Sequence, residues 1–185
     1  MTHNEYEKAL FEAYIATPKS FDWYRKAFEH FERREGKMGW YWNSWAFLGG
    51  FWYFLYRRES KMAMIVLLVM LLIGVVVPTP MMLPLLLLLH LLIGGFGTYY
   101  VYKGYRKQKE EIEAIVPNEE KRLAFMRYQL GGVNRWAIPM AIFAFVSLVL
   151  IVIGLAVVAH GASTQAGSTH VITSTRSDVS FKSAV

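Results

Sequence analysis

Trp40–Arg58 reads W-Y-W-N-S-W-A-F-L-G-G-F-W-Y-F-L-Y-R-R and divides the chain in two. Four of the chain's six Trp fall in its first thirteen residues, and two Arg close it. Upstream lies a water-soluble helical sequence; downstream come long apolar runs. As a helix, Trp40–Tyr56 would be apolar on every side, so it is no surface helix. Its seventeen residues are at the short limit for crossing ~30 Å of hydrocarbon, and Asn43, Ser44 and Gly49-Gly50 weaken it further as a span. The expected element is an interfacial or re-entrant segment over 40–58, with the indoles of Trp42, Trp45 and Trp52 and the phenol of Tyr56 at the headgroup level. An aromatic belt accounts for this composition more simply than a ligand pocket does.

Upstream, residues 1–39 are expected to form cytoplasmic amphipathic helices. Tyr6, Leu10 and Tyr14 recur at four-residue steps over residues 3–16, with Glu5, Lys8 and Glu12 off the stripe. Thr17-Pro18 stops that helix, because a residue before Pro is pushed out of the helical region. Ser20 is the expected N-cap of a second helix to about Lys37, whose face is Phe21, Tyr24, Phe28 and Phe31. These aromatic faces need cover, from each other, from the membrane surface or from another protein; packing within the chain is the simplest.

Downstream, three apolar runs predict an all-α integral membrane protein with transmembrane helices at about 61–77, 81–102 and 136–159. Pro78-Thr79-Pro80 is so short a link that the first two, residues 61–102, must form an antiparallel hairpin. The helix after Met81 is expected to continue into water as far as Pro117. The rest of the cytoplasmic loop, 103–135, carries a short helix capped by Asn118 and ended by Gly131-Gly132. The last segment, 160–185, is Ser/Thr-rich and too polar to offset its ordering entropy alone.

Lys and Arg set the orientation. Residues 1–61 hold ten, 103–135 hold eight, the 78–84 turn holds none, and the tail after Ala159 holds two. The expected topology is N-terminus cytoplasmic and C-terminus extracytoplasmic. No secretory signal is expected, since the first residues carry acids and no apolar run precedes Trp40.

The order of parts resembles a family of small bacterial inner-membrane proteins that carries a domain of unknown function. The likeness rests on Trp42, Asn43, Ala46, Phe47, Gly49, Gly50, Trp52, Tyr56, Arg57 and Arg58, with Tyr99, Tyr100 and Tyr105 in support, and covers roughly residues 20–115. The family pattern has Gly-Pro where this chain has Gly49-Gly50, and a Trp-to-Tyr spacing one residue shorter. The resemblance implies a bacterial inner-membrane location and no particular activity.

Chemistry has few footholds. The chain has no Cys, which excludes disulfides and thiolate metal sites. HExxH, GxSxG and P-loop patterns are absent from it. His90 is the only ionisable residue deep in a run and so a functional candidate, against the plainer reading of a neutral His bonded to a carbonyl or hydroxyl. Haem would need a second axial ligand at the same depth, and His160 lies at the far end of the third run. No cofactor and no metal site are expected. Gly94, Gly95 and Gly97 permit close helix approach, either by another protein or by this chain's own helices. The bases Lys103, Arg106, Lys107 and Lys109, with Arg57, Arg58 and Lys61, suit the anionic inner leaflet at ~1 kcal/mol per charge. Nucleic acid is disfavoured because Glu110, Glu111 and Glu113 alternate with the bases. The expected function is therefore a non-catalytic accessory or scaffold subunit, bound to lipids and to other membrane subunits or copies of itself. A homo-oligomeric channel or small transporter is the alternative, and a haem carrier or membrane enzyme would rest on His90 alone.

Overall fold

The computed structural model describes residues 2–154 and 156–157. Those residues are all α, with no strand among them. The expected tail, 160–185, and the last residues of the third run lie outside the described residues.

Helix α1 (His3–Ile15) opens with a capping box: Thr2 accepts from the Glu5 N–H, and Glu5 reaches back to the Thr2 N–H at 2.8 Å. A 3₁₀ turn, Pro18–Ser20, leads into α2 (Phe21–Glu32). Ser20, expected as an N-cap, makes no side-chain capping bond; the turn itself starts the helix. Helix α2 also stops five residues short of Lys37, because Glu35 and Gly36 take positive φ of 59° and 73°. The predicted faces are largely the buried ones: Tyr6, Leu10 and Tyr14 on α1, and Tyr24, Phe28 and Phe31 on α2, with Phe21 of the same face only partly buried.

The aromatic stretch is not one helix. Residues 40–43 are extended, α3 runs Ser44–Gly49, and α4 runs Phe51–Tyr56. Gly50 joins them at φ 53°, ψ −126°, a backbone region essentially closed to residues with a Cβ. Helix α5 covers Ser60–Val76 and α6 covers Thr79–Ile115. Helix α7 (Glu119–Phe125), with Asn118 accepting from the Lys121 N–H as its cap, passes into a π-helical turn at Met126–Leu130.

Two helices, not three, are long and apolar enough to cross a membrane: α6 and α8 (Ala137–Gly154). The expected span at 61–77 is an apolar helix of 17 residues, ~26 Å long. It ends where Pro78 drives Val77 into the extended region at φ −90°, ψ 131°. Helix α6 does run on into its charged half as one 37-residue helix; Pro84 lies inside it, past the first turn, and removes the bond that residue 84 would make to the Pro80 carbonyl.

Two compact units divide the chain at Ile138/Pro139. In the first, the aromatic faces of α1 and α2 meet the charged half of α6. Phe28 is 5.2 Å from Tyr102 and 5.6 Å from Tyr105, and Phe31 is 5.4 Å from Tyr99, ring centre to ring centre. Several are edge-to-face, the arrangement that adds to plain area burial. The second unit is described by the body of α8, which carries no charged residue from Ala137 to Gly154.

The 119–135 loop closes against α1 at Gly131. A Cβ there would meet the Tyr14 Cα at 2.6 Å and the Met126 carbonyl at 2.7 Å, both backbone atoms. Gly131→Ala should therefore cost about 1–3 kcal/mol in thermal or denaturant unfolding in detergent. Gly74→Ala, with nothing within 4 Å of its Cβ, should instead hold or gain up to about 1 kcal/mol.

Candidate functional site

The candidate site is a run of buried polar groups where the aromatic stretch meets α6. It begins with a close approach. The Tyr41 N–H donates to the Gly95 carbonyl at 2.9 Å, and the Asn43 N–H to the Gly94 carbonyl at 2.8 Å. Side chains at 94 and 95 would prevent this. A Cβ on Gly95 would fall on the Trp40 ring, and one on Gly94 would lie 2.8 Å from Trp42 and 2.9 Å from Phe47. Gly97 admits Ala46 at 3.2 Å in the same way. The three glycines are thus occupied by this chain's own aromatic stretch.

Asn43, 4% exposed, is fully used. Its Oδ1 accepts from the N–H groups of Trp45 (3.0 Å) and Ala46 (3.2 Å), capping α3. Its Nδ2 donates to the Tyr53 hydroxyl (3.2 Å) and to Thr98 Oγ1 (3.1 Å). Two donors and two lone pairs all find partners, the condition under which a buried amide is tolerated. Tyr53 in turn shares a hydrogen bond with Tyr24 at 3.2 Å, so one line of polar contacts joins α6, α3, α4 and α2.

Arg57, 8% exposed, continues the line. Its guanidinium stacks over the Tyr24 ring at 4.3 Å and lies 5.5 Å from the Tyr56 ring centre. It has no carboxylate partner among the described residues. It donates instead to the Ile15 carbonyl at 3.0 Å and reaches Thr17 Oγ1 at 3.5 Å. Ile15 ends α1, which has no basic residue in its last turn, so Arg57 places a cation at the negative end of that helix dipole. Arg58, exposed and at φ 60°, does the same for the π-helical turn, donating to the Gly131 carbonyl at 2.8 Å. The neighbouring Asn134 N–H donates to the Tyr56 carbonyl at 2.8 Å.

Glu59 completes the group. The Tyr14 hydroxyl donates to Glu59 Oε1 (2.9 Å) and approaches the Val101 carbonyl (3.0 Å). The carboxylate lies where a side chain on Gly104 would stand. Burial pushes the Glu59 carboxyl above its ordinary range, against the opposing pull of Tyr14's hydrogen bond and Lys107's charge. Burial, then the Glu59 charge, pushes the Tyr14 hydroxyl well up, so it stays a donor.

The remaining sequence candidates sit apart from this line. Trp42 and Trp45 are exposed, Trp42 bonding Ser44 Oγ through its indole N–H at 3.2 Å; Trp52 is half-buried against Phe51. His90 packs against Gly50, whose Cβ would lie 2.9 Å from its Nε2. Its Nδ1 is 2.9 Å from the Leu86 carbonyl, which can only accept, so Nδ1 carries the proton. That carbonyl belongs to the preceding turn of α6 itself. Among the described residues no three His, Asp or Glu side chains converge as a metal ion requires.

Sequence reasoning missed Thr98, Tyr53, Tyr24, Tyr14, Glu59 and Gly104. Thr98 and Asn43 lie 55 residues apart, Tyr14 and Glu59 45, and no local pattern pairs them. The one local signal was Arg57-Arg58-Glu59 itself, three consecutive charges between two apolar helices.

Fold and site define an all-α protein with two apolar helices of membrane-crossing length, one of which, α6, is joined through an aromatic stretch to a layer of amphipathic helices. More particularly, the chain belongs to the family described as protein of unknown function (DUF2628), whose model matches residues 9–106. That match holds the whole polar line from Tyr14 to Gly104 and ends at Arg106, before α7 and α8. No curated protein and no solved structure matches the chain.

Glu59 supplies a signed test. With its folded pKa raised, the folded chain holds this proton more tightly than the unfolded chain. Its contribution is therefore most favourable at low pH and is lost as pH rises from the ordinary 4.5 through the folded value. Glu59→Gln should leave the melting temperature near parental at pH 4 and raise it above parental at pH 7, flattening that part of the profile.

Proposed function

We propose that this protein is a non-catalytic accessory or scaffold subunit of a bacterial inner-membrane complex. Three apolar segments, α5, α6 and α8, anchor it, with the N-terminus cytoplasmic and the C-terminus outside. Helix α5 is short, but flanking Lys61 and Arg58 can snorkel and the bilayer can thin at small cost. The exposed Trp40, Trp42 and Trp45 suit the headgroup region at the inner leaflet. Eighteen of twenty Lys and Arg lie outside the 78–84 turn and the tail, and favour this orientation.

One observation carries the accessory reading: the apolar helices of the first unit are largely unpartnered. Of α5 only Ala63 and Val66 are buried, whereas Val75 is 84% exposed and, on α6, Leu83 is 74% exposed. Lipid can cover such faces, and so can helices of another subunit. The buried polar line bonds within the chain and makes a rigid platform, which suits a scaffold better than a site of turnover.

Two measurements test this. Because the chain has no Cys, single substitutions report orientation without background. Thr79→Cys should react with a membrane-impermeant maleimide on intact cells, and Lys121→Cys only after lysis; the reverse pattern overturns the orientation. Extraction from the native membrane in mild detergent should yield a complex with foreign subunits at fixed ratio. A closed ring of identical chains would overturn the accessory reading in favour of a homo-oligomeric channel or small transporter, and a monomer would end both.

A further inference from the structure

A groove of about 950 Å³ runs between α1, α2 and the charged half of α6. Its floor is aromatic: Phe11, Phe21, Phe28, Tyr102 and Tyr105. Phe28, Tyr102 and Tyr105 are buried, while Phe11 and Phe21 keep part of their rings open to it. The walls carry eight carboxylates and four bases, in a chain whose net charge is +6.

All four bases are already taken by wall carboxylates. Lys8 pairs with Glu12 (4.0 Å), Arg25 with Asp22 (2.6 Å), Arg106 with Glu110 (3.3 Å) and Lys109 with Glu7. Glu35 pairs with Lys37 at 2.6 Å. Three carboxylates remain, Glu29 and Glu32 of α2 and Glu113 of α6, with no basic side chain at ion-pair distance among the described residues. The groove thus has an apolar floor and an excess of negative charge that the described residues do not neutralise.

We propose that this groove docks a basic amphipathic peptide segment of a partner protein, its apolar side chains on the Phe11–Phe21 floor and its Lys or Arg side chains on Glu29, Glu32 and Glu113. Helix-in-groove recognition reads one apolar face in this way, and complementary charge sets partner and register. Tyr105 reports the same field: after burial, the charges of Glu7, Glu32 and Glu113, on three different helices, hold its hydroxyl well above the ordinary range. Anionic headgroups and nucleic-acid phosphates are repelled by such walls. A polyamine would satisfy the carboxylates but leave the aromatic floor uncovered, and that floor selects a peptide with apolar side chains. The inference rests on the accessory-subunit reading and names the chemistry of what docks.

The test uses the full chain in nanodiscs of zwitterionic lipid and a labelled helical peptide of Lys and Leu in amphipathic order, with a Glu-for-Lys peptide as control. Saturable binding of the basic peptide alone is expected. Combined Glu29→Gln, Glu32→Gln and Glu113→Gln should weaken it at least about tenfold. Combined Glu111→Gln, Glu119→Gln and Glu120→Gln, which remove the same charge outside the groove, should change it less than about twofold. Equal losses in both variants, or no saturable binding, overturn the proposal. Displacement of the peptide by spermine at comparable affinity overturns it in favour of a small polycation. Hydrogen exchange on the unsubstituted protein decides the matter should the groove variant fail to fold: new protection on α2 and the charged half of α6 supports docking, and its absence overturns it. A native complex with foreign subunits that forms undiminished with the groove variant leaves the accessory reading standing while this proposal falls.

Discussion

Two backbone hydrogen bonds, from Tyr41 and Asn43 to the carbonyls of Gly95 and Gly94, hold an extended segment flat against a helix. A helical carbonyl seldom has room for a second donor from another segment, because side chains on its own helix stand in the way. Here the side chains are missing at the three positions that matter, and the ring of Trp40 occupies the space over Gly95. Once residues 40–43 are laid down, Asn43 is delivered to Thr98 and α3 starts from its cap. Gly50 then turns the chain so that Tyr53 faces inward. Every later contact of the polar line depends on that placement.

The line ends in three consecutive residues that serve three different elements. Arg57 holds the end of α1, Arg58 holds the end of the π-helical turn, and Glu59 holds Tyr14 against Gly104 of α6. Charged residues just before an apolar helix ordinarily suggest contact with the lipid surface. Arg57 departs from that expectation, since desolvating a guanidinium without a carboxylate is unfavourable unless other groups compensate. Two aromatic faces and a helix dipole compensate here. The arrangement couples the water-soluble layer to the start of α5 without requiring a large interface.

How much of this the sequence disclosed follows from the range of each interaction. Helix faces were legible, because Tyr6, Leu10 and Tyr14, or Tyr24, Phe28 and Phe31, announce burial at helical spacing. The Asn118 cap and the long continuation of α6 were legible for the same local reasons. Ser20 misled because a 3₁₀ turn can start a helix without a side-chain cap. The bounds of the segment at 61–77 were legible, since Pro78 stops the helix; at 17 residues it falls just below the length of the two helices that can cross a membrane. Trp40–Tyr56 was legible as distinct from the apolar runs after it, but its division into extended, helical and helical parts turns on contacts with residues 94–98. Gly94, Gly95 and Gly97 announced a close approach; that the approaching element belongs to the same chain could not be read from the glycines alone.

Helix α6 is 37 residues long, or ~56 Å, and has no interruption between its apolar and charged halves. Its flexible-looking glycines are clamped by the segment lying on them, so the rod behaves as a stiff lever whose fulcrum lies near residues 94–98. A tilt of about 5° there carries the far end through roughly 2–3 Å, taking the lever arm to Ile115 as ~27 Å at the ordinary helical rise. That end forms one wall of the acidic groove. On the membrane-anchored reading proposed above, strain on the apolar arm and occupancy of the groove would act on opposite arms of one rigid body.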